Sequence, residues 1–203
     1  MTDAQKAAGF PIQPGDVKWK DVNGDGIIDN FDMVKIGNTD PKWFGGITSS
    51  VTWKDLTLYV RTDYALGFYQ YDTILPWFMG DMQGSFNGVE QVKNTWTTTN
   101  TNAPFPKYHW ADQTNKRNYA RQSSMFCYEA SYLAFRDVTL TYALPKKIMK
   151  LIGIKAADIS LSGQNLGYLT ASKLYTPEVS STAGTNGGYS LPITVIAGLN
   201  IKF

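Results

Sequence analysis

The final segment of the chain, residues 191–203, alternates between apolar and polar or small side chains almost without interruption. One series consists of Leu191, Ile193, Val195, Ala197, Leu199, Ile201 and Phe203. The other series consists of Pro192, Thr194, Ile196, Gly198, Asn200 and Lys202. A period of two indicates a β-strand whose faces meet different environments, and a tilted membrane strand needs about 9–11 residues. The segment is therefore predicted to be a strand with one face toward lipid.

The same alternation upstream predicts a hairpin. Residues 43–53 and 56–66 both alternate, and only the polar pair Lys54 and Asp55 separates them. A short polar break between two alternating runs is a hairpin signal. Together with two further runs, the pattern predicts an all-β fold with antiparallel strands at 43–53, 56–66, 126–144, 157–168 and 190–203.

The strand predicted at 126–144 contains one irregularity. Val138, Leu140 and Tyr142 follow the alternation, whereas Leu133 and Phe135 fall in the phase of the polar face. Either a β-bulge shifts the register between the two halves, or these two side chains pack inward.

The connections between the predicted strands alternate between short and long. Short turns lie at 54–55 and 145–156, and long loops lie at 67–125 and at about 168–190. A long loop without regular structure is uncommon in a compact soluble domain, whereas membrane barrels combine long extracellular loops with short periplasmic turns. The strands of a soluble β-sandwich would also alternate. The combination of full-length strands, one very long polar loop and short turns at the opposite end favours a barrel. We expect residues 1–42 to be an extracellular segment and residues 43–203 to form barrel strands.

Residues 21–32, DVNGDGIIDNFD, have the spacing of an EF-hand-type calcium loop. Such a loop places ligands at positions 1, 3, 5, 7, 9 and 12 and a glycine at position 6, which here is Gly26. The predicted ligands are Asp21, Asn23, Asp25, the backbone carbonyl of Ile27, Asp29 (directly or through water) and Asp32. Oxygen ligands at this density suit a hard cation, and Ca2+ is the expected one.

Two alternatives remain open for this acidic loop. It could be a surface turn rich in Asp and Asn that binds nothing. If it binds Ca2+, the expected role is structural, pinning an extracellular loop where it enters the barrel wall. Asp32 at position 12 replaces the usual bidentate Glu, as in dockerin modules, and its shorter side chain weakens the expected affinity.

Composition excludes several other classes of protein. The net charge is +2 and no run of Lys or Arg occurs, so a nucleic-acid partner is not expected. Cys127 is the only cysteine and His109 the only histidine, so neither a disulfide nor a His-based site can form within the chain. His109 is expected in a solvated loop. No carboxylate pair stands out as an acid/base dyad, and we predict that the chain is not an enzyme.

Several segments resemble the SusC-like (RagA-like) TonB-dependent transporters of bacterial outer membranes, in the same order. These are PGDVKWKDVNGDGIIDNFDMVKIGNTDPKWFGGI, SYLAFRDVTLTYALPKKI, ISLSGQNLGYLT, TPEVS and the ending AGLNIKF. The likeness covers about residues 14–203 and implies the C-terminal five strands of a plugged barrel of about 22 strands.

The resemblance also implies partners and a location. It implies import of an oligosaccharide or peptide across the outer membrane, energy from TonB and a SusD-like surface lipoprotein as lid, with the C-terminus on the periplasmic side. Five strands cannot close a barrel in lipid, because an open edge leaves backbone groups unsatisfied. The remaining strands, the plug and the TonB-contacting segment are therefore expected on the same chain, of which this would be a fragment, or on another chain.

Aromatic residues crowd the long loop and are candidate contacts for substrate or lid, although they could equally form a small core or an interfacial girdle. The candidates are Trp77, Phe78, Trp96, Tyr108 and Trp110. The alternative function is a secreted, calcium-dependent binding module, dockerin-like or glycan-binding, without a role in transport.

Overall fold

The computed structural model describes residues 12–81, 87–109, 118–151, 153–173, 176–178 and 191–203. The strands are β1 Trp43–Trp53, β2 Leu56–Leu66, β3 Tyr69–Tyr71, β4 Cys127–Glu129, β5 Tyr132–Ala143, β6 Ala156–Thr170 and β7 Thr194–Lys202. Short helical segments lie at Asn30–Asp32, Ile74–Pro76, Trp77–Asp81, Glu90–Asn94, Ser124–Phe126 and Lys146–Leu151. None of the helices in these described ranges is long and apolar enough to cross a membrane.

Five strands form one antiparallel sheet in the order β1-β2-β5-β6-β7, and β3 pairs with β4 in a separate small sheet. The two tight connections, β1–β2 and β5–β6, lie at one end of the large sheet, which we call the turn end. The β2–β5 and β6–β7 connections lie at the opposite loop end. The predicted all-β antiparallel fold is thereby confirmed.

The register places most of the apolar side chains of all five strands on one face of the sheet, with Phe44 and Ile196 on the other. Val51 pairs with Leu58, which pairs with Leu140, which pairs with Leu161. The exposed large apolar residues of this face are Trp43, Ile47, Val51, Trp53, Leu58, Leu66, Leu140, Tyr142, Ile159, Leu161, Leu169, Val195, Leu199 and Ile201. A water-soluble sheet buries such a face, so its exposure across five strands marks it as the face that meets lipid.

A β-bulge resolves the irregularity of the β5 sequence. Arg61 pairs with Asp137 but Thr62 pairs with Phe135, so Arg136 is an extra residue without a partner on β2. The insertion shifts the alternation by one, which brings Leu133 and Phe135 onto the apolar face. Of the two explanations that the sequence left open, the bulge is the one found.

The strand predicted at 126–144 is divided in two. β4 ends at Glu129 and pairs with β3, and β5 begins at Tyr132 in the large sheet. Ala130 donates a backbone hydrogen bond to Phe68 and is completely buried beside Phe68 and Ala65. This small core at the loop end fixes the point at which the large sheet stops.

The described residues form two compact units that do not follow chain order. The sheet unit comprises Asn38–Gln70 and the strands from Tyr128 onward. The loop unit comprises the segment up to Gly37 together with Tyr71–Cys127. The long loop predicted at 67–125 thus packs with the N-terminal segment, and the contacts that join them are described below.

Candidate functional site

The polar face of the sheet carries a connected set of hydrogen-bonding side chains near its middle. Thr139 donates to Asp137 Oδ1 at 2.6 Å and Ser162 donates to the same oxygen at 3.3 Å. Gln164 donates to Asp137 Oδ2 at 3.4 Å. Neighbouring strands contribute these residues at matching register positions, so the alternation that makes one face apolar makes the other a continuous polar surface.

Arg136, the bulge residue, is the centre of a second polar cluster nearer the loop end. Its guanidinium donates to both carboxylate oxygens of Asp63 and forms an ion pair with Glu178. Tyr168 donates its hydroxyl to Glu178 Oε2 at 3.0 Å, and its ring lies 5.8 Å from the guanidinium carbon. We call Arg136, Asp63, Tyr168 and Glu178 the Arg136 cluster. Its residues come from β2, β5, β6 and the β6–β7 connection.

The short segment Thr176, Pro177 and Glu178 is held against the sheet at this cluster. Gln70 donates its side-chain amide to the Pro177 carbonyl at 3.0 Å, and Thr176 and Pro177 are buried. The TPEVS motif singled out in the sequence therefore contributes a carboxylate to the polar face. Val179 and Ser180 of that motif lie outside the described residues. No sequence pattern predicts that Glu178 meets Arg136, because the two residues lie in different elements.

The acidic loop has the turn geometry that its spacing predicts. Gly24 and Gly26 have φ of 78° and 82°, values that a residue with a side chain rarely adopts. Asp21 accepts hydrogen bonds from the N–H groups of Gly24 at 2.7 Å and Gly26 at 2.8 Å. Asp25 Oδ1 accepts from the Ile27 N–H at 2.8 Å. Successive Asp side chains bonded to the following backbone N–H groups wind this segment tightly.

The last part of the acidic loop closes back on its beginning. Asp32 accepts from the Val22 N–H at 2.7 Å and from the Asp29 N–H at 2.9 Å, while Asp29 accepts from the Phe31 N–H at 2.8 Å. The hydrogen bonds from Val22 and then Asp29 are the main causes that hold the pKa of Asp32 below its ordinary value. Asp32 therefore stays ionised at neutral pH, as a cation ligand must.

The fit of the loop to Ca2+ is good in donor type and incomplete in arrangement. Every predicted ligand offers a carboxylate, amide or carbonyl oxygen, which is the chemistry that Ca2+ requires. Over the described parts of the chain, however, no three His, Cys, Asp or Glu side chains converge as a metal site. The carboxylates accept backbone hydrogen bonds, and binding of Ca2+ would require them to converge.

The N-terminal segment is joined to the long loop by a buried charged group. Asp16 accepts from His109 Nε2 at 2.6 Å and from the Asn118 side chain at 3.0 Å, and the Asp16 side chain is 3% exposed. Asn118 in turn accepts from the Val17 N–H at 3.0 Å. The expectation that His109 lies in a solvated loop is wrong, because its side chain is only 17% exposed and is hydrogen-bonded to Asp16.

Burial alone raises the pKa of Asp16, but the Gln13 N–H, His109 and Asn118 donate hydrogen bonds that outweigh it. The pKa of Asp16 consequently lies below its ordinary value. The carboxylate is therefore the form that holds the N-terminal segment and the loop together.

The loop aromatics divide between a small core and the surface. Phe105, which belongs to the aromatic-rich run of the loop, packs with Tyr119, Phe126 and Met79 in a small core. The sequence pattern did not predict this core. Those partners are far apart in the chain and show no common period.

The aromatic residues proposed as contacts for substrate or lid are not all brought together. Trp77 is 43% exposed and packs edge-to-face on Phe78 with ring centroids 5.0 Å apart. Trp96 lies against the Cα of Gly15, and Tyr108 is half-buried. Trp110 lies outside the described residues. Of the candidate residues described, only Trp77 and Phe78 are in contact with each other, and Trp77 is the exposed member of the pair.

The five-stranded sheet, with one exposed apolar face and one polar, hydrogen-bonded face, is part of the wall of a transmembrane β-barrel. Two curated relatives from Formosa agariphila, TonB-dependent receptors P26 and P3, are each 27% identical to the chain over 206 and 202 residues. These matches cover 95% and 94% of this chain but 20% and 19% of the receptors. No family model matches.

Solved structures agree on the fold. A structure of the RagAB peptide transporter superimposes with a TM-score of 0.70 at 23% identity, covering 94% of this chain and 20% of the other. The closed-closed state of the RagAB peptide importer gives 0.68 at 22% identity, over 90% of this chain. The resemblance to TonB-dependent receptors, inferred from the motifs, is thereby confirmed. The chain spans about a fifth of the length of the proteins it matches.

Proposed function

We propose that the chain forms the C-terminal wall of a SusC-like, TonB-dependent transporter that imports oligosaccharides or peptides across the bacterial outer membrane. The observation that carries the proposal is the division of the sheet into an exposed apolar face and a polar face. The apolar face would contact lipid, and the polar face would line a lumen that is filled by water or by a plug. The connections support an arrangement with long loops outside and tight turns, with the C-terminus, in the periplasm.

The remaining parts of the transporter follow from the same proposal. The outer edges of β1 and β7 have no partner strand among the described residues, and an unpaired edge is not tolerated in hydrocarbon. Further barrel strands complete the wall, a plug fills the lumen and contacts TonB, and a SusD-like lipoprotein covers the loop end. The exposed Trp77, packed on the half-buried Phe78, is the candidate aromatic contact for that lipoprotein or a substrate.

The substrate class is the finer part of the proposal. The structural neighbours named above are described as peptide transporters or importers, which favours a peptide. The polar face offers both signs of charge through Arg61, Arg136 and Asp137. Such a surface suits a zwitterionic or polar solute. No residue of this wall is proposed to perform chemistry, in keeping with a transporter that is not an enzyme.

We also propose that residues 21–32 bind Ca2+ in a structural role. The support is the oxygen-only ligand set, the two glycines in the left-handed region and the Asp-to-backbone turns. Ca2+ would offset two of the four negative charges that Asp21, Asp25, Asp29 and Asp32 bring to this segment. It would thereby fix the loop.

One experiment tests the barrel directly. The receptor that contains these strands is expressed, fractionated and run on a gel with and without heating. A barrel requires detergent to stay soluble and migrates differently after boiling, and deletion of β7 should abolish the heat-dependent shift. A water-soluble monomer that gains stability on adding Ca2+ would instead favour the secreted binding module, which none of the relatives described above supports.

A further inference from the structure

The turn end of the sheet carries a concentration of lysines that transport does not require. We call Lys54, Lys146, Lys147, Lys150, Lys155 and Lys202 the basic turn rim; all six are exposed. Among the described residues at this end (53–56, 143–151, 153–159 and 199–203), only Asp55 and Asp158 are acidic. None of the ion pairs between described residues includes a lysine of the rim. The rim therefore presents unneutralised positive charge.

Large apolar side chains are interleaved with these lysines. Trp53 is 68% exposed, with the Lys54 ammonium 4.7 Å from the centre of its ring. Within the helix Lys146–Leu151, Ile148 is 49% and Leu151 is 87% exposed. Residues three apart share a face of a helix, so these two side chains project together. Alternating lysine and apolar residues are typical of segments that lie in the interface between lipid and water.

The position of the helix is fixed from its buried side. Met149 is 2% exposed and Ile154 donates a backbone hydrogen bond to its carbonyl at 3.0 Å, which folds the connection tightly against the strands. Ala157 lies on the apolar face of β6 yet is only 8% exposed, whereas Ile159 on the same face is 49% exposed. The helix packs against β6, whose turn-end residue Ala157 is buried.

We propose that the basic turn rim and the helix Lys146–Leu151 bind anionic phospholipid headgroups of the periplasmic leaflet. This inference rests on the proposed function, since it requires the apolar face to be in lipid. Ile148 and Leu151 extend the lipid-facing surface, and the lysines meet the phosphates at its margin. The occupant is a phospholipid because exposed apolar side chains (Trp53, Ile148 and Leu151) are interleaved with the lysines of the rim, and because the rim's charge complements phosphate.

Depth in the membrane gives the first test. Leu151→Cys and Leu199→Cys are made separately in a cysteine-free background that includes Cys127→Ser, and each is labelled with a nitroxide in the reconstituted receptor. Both labels should collide more with oxygen, which concentrates in lipid, than with a water-soluble nickel chelate. A label that is in lipid at Leu199 but in water at Leu151 would overturn this inference alone. A water-exposed label at Leu199 would overturn the barrel itself.

Headgroup preference gives the second test. The receptor is reconstituted in phosphatidylcholine with a trace of spin-labelled phosphatidylglycerol or spin-labelled phosphatidylcholine. We expect about a two-fold preference for phosphatidylglycerol, falling to near one in Lys147→Gln/Lys150→Gln and on adding salt. The matched variant Lys42→Gln/Lys173→Gln removes the same charge at the loop end and should keep the preference. Equal loss in both variants, or no preference in the parent, would overturn the assignment.

Discussion

Arg136 donates two hydrogen bonds to the carboxylate of Asp63, from Nε and from Nη2, and so forms a bidentate ion pair across β5 and β2. Only the bulge makes this geometry available. Without the extra residue the register would place Arg136 opposite Thr62, on the apolar face. The bulge thus performs two tasks at once, since it returns Leu133 and Phe135 to lipid and gives the polar face a cation.

Loss of the Arg136 cation should destabilise the sheet at its loop end. Arg136→Gln leaves Asp63 and Glu178 close together without a counter-charge, and we expect a loss of about 2–3 kcal/mol. Glu178→Gln should lose less, because Asp63 still pairs with Arg136. The measurement is the midpoint of heat-induced conversion from the folded to the unfolded gel band in detergent.

The control for the ion pair is an exposed carboxylate. Glu90 pairs with Lys93 at 3.8 Å, with both side chains largely exposed, so Glu90→Gln should change stability by less than about 0.5 kcal/mol. A midpoint for Arg136→Gln that equals that of Glu90→Gln would contradict the importance of the cluster.

Charge should be tolerated on one face of β7 and not on the other. Val195 and Leu199 lie on the apolar face and are 69% and 64% exposed, so Lys at either position should lose about 2–4 kcal/mol near the membrane midplane. Lys in place of Thr194 or Asn200, on the polar face, should be tolerated. The measurement is the amount of folded receptor in outer-membrane fractions. Equal yields for all four variants would contradict the assignment of Val195 and Leu199 to the lipid-facing side.

The attachment of the N-terminal segment to the long loop should weaken in acid. Because the pKa of Asp16 is lowered in the folded state, its contribution to stability is complete above the ordinary value of 3.8 and is lost as the pH falls below it. Hydrogen exchange of residues 12–20 and 105–109, followed from pH 6 to pH 3, should show protection that declines only below about pH 4.

Asp16→Asn separates that titration from general acid unfolding. The variant should exchange faster at pH 6 and should lose the decline, because the amide does not titrate. Asp40→Asn, a change at an exposed position of the sheet unit, should change neither the exchange rate at pH 6 nor the decline of protection in acid. A decline of the same size in Asp16→Asn would assign it to other groups.

The strands could be read from the sequence because their period of two is set by the two environments of the sheet. The predicted strands at 43–53 and 56–66 have the observed bounds of β1 and β2, since a two-residue turn leaves no freedom in register. The β5 bulge was one of two open alternatives, because one sequence phase shift admits two packings.

The loop unit could not be read in the same way. Its core joins Met79, Tyr119 and Phe126, and its charged group joins Asp16 to His109, and these residues share no periodicity. Contacts of this kind depend on how the chain returns in space. A lone histidine is usually solvated, and here the partner that encloses it lies in a different segment.

Calcium should bind the acidic loop with the modest affinity of extracellular sites, with a Kd on the order of 0.1–1 mM. Hydrogen exchange of residues 21–32 should slow on adding Ca2+ and much less on adding Mg2+, which demands a more rigid octahedral site. Asp21→Asn should weaken the effect about ten-fold or more. No protection at 10 mM Ca2+, or equal protection in Asp21→Asn, would leave the loop as a hydrogen-bonded turn.

The contact between Gly15 and Trp96 should tolerate no side chain. Gly15 has φ of 93°, and a Cβ at this position would lie 2.3 Å from Trp96 Cε3. Gly153 has φ of 73° with no atom within 4 Å of its Cβ position, so it isolates the backbone effect. Gly153→Ala should lose about 1–2 kcal/mol from left-handed strain, whereas Gly15→Ala should add a clash and displace Trp96.

The variant Trp96→Ala tests whether contact with the indole ring causes the effect of Gly15→Ala. We expect hydrogen exchange of residues 12–20 to rise sharply in Gly15→Ala and to stay at the parent level in Gly153→Ala. Trp96→Ala should raise exchange in the same segment, and adding Gly15→Ala to it should have only the smaller, backbone effect. If Gly15→Ala were as damaging without the indole as with it, backbone strain rather than the packed ring would fix this segment to the loop.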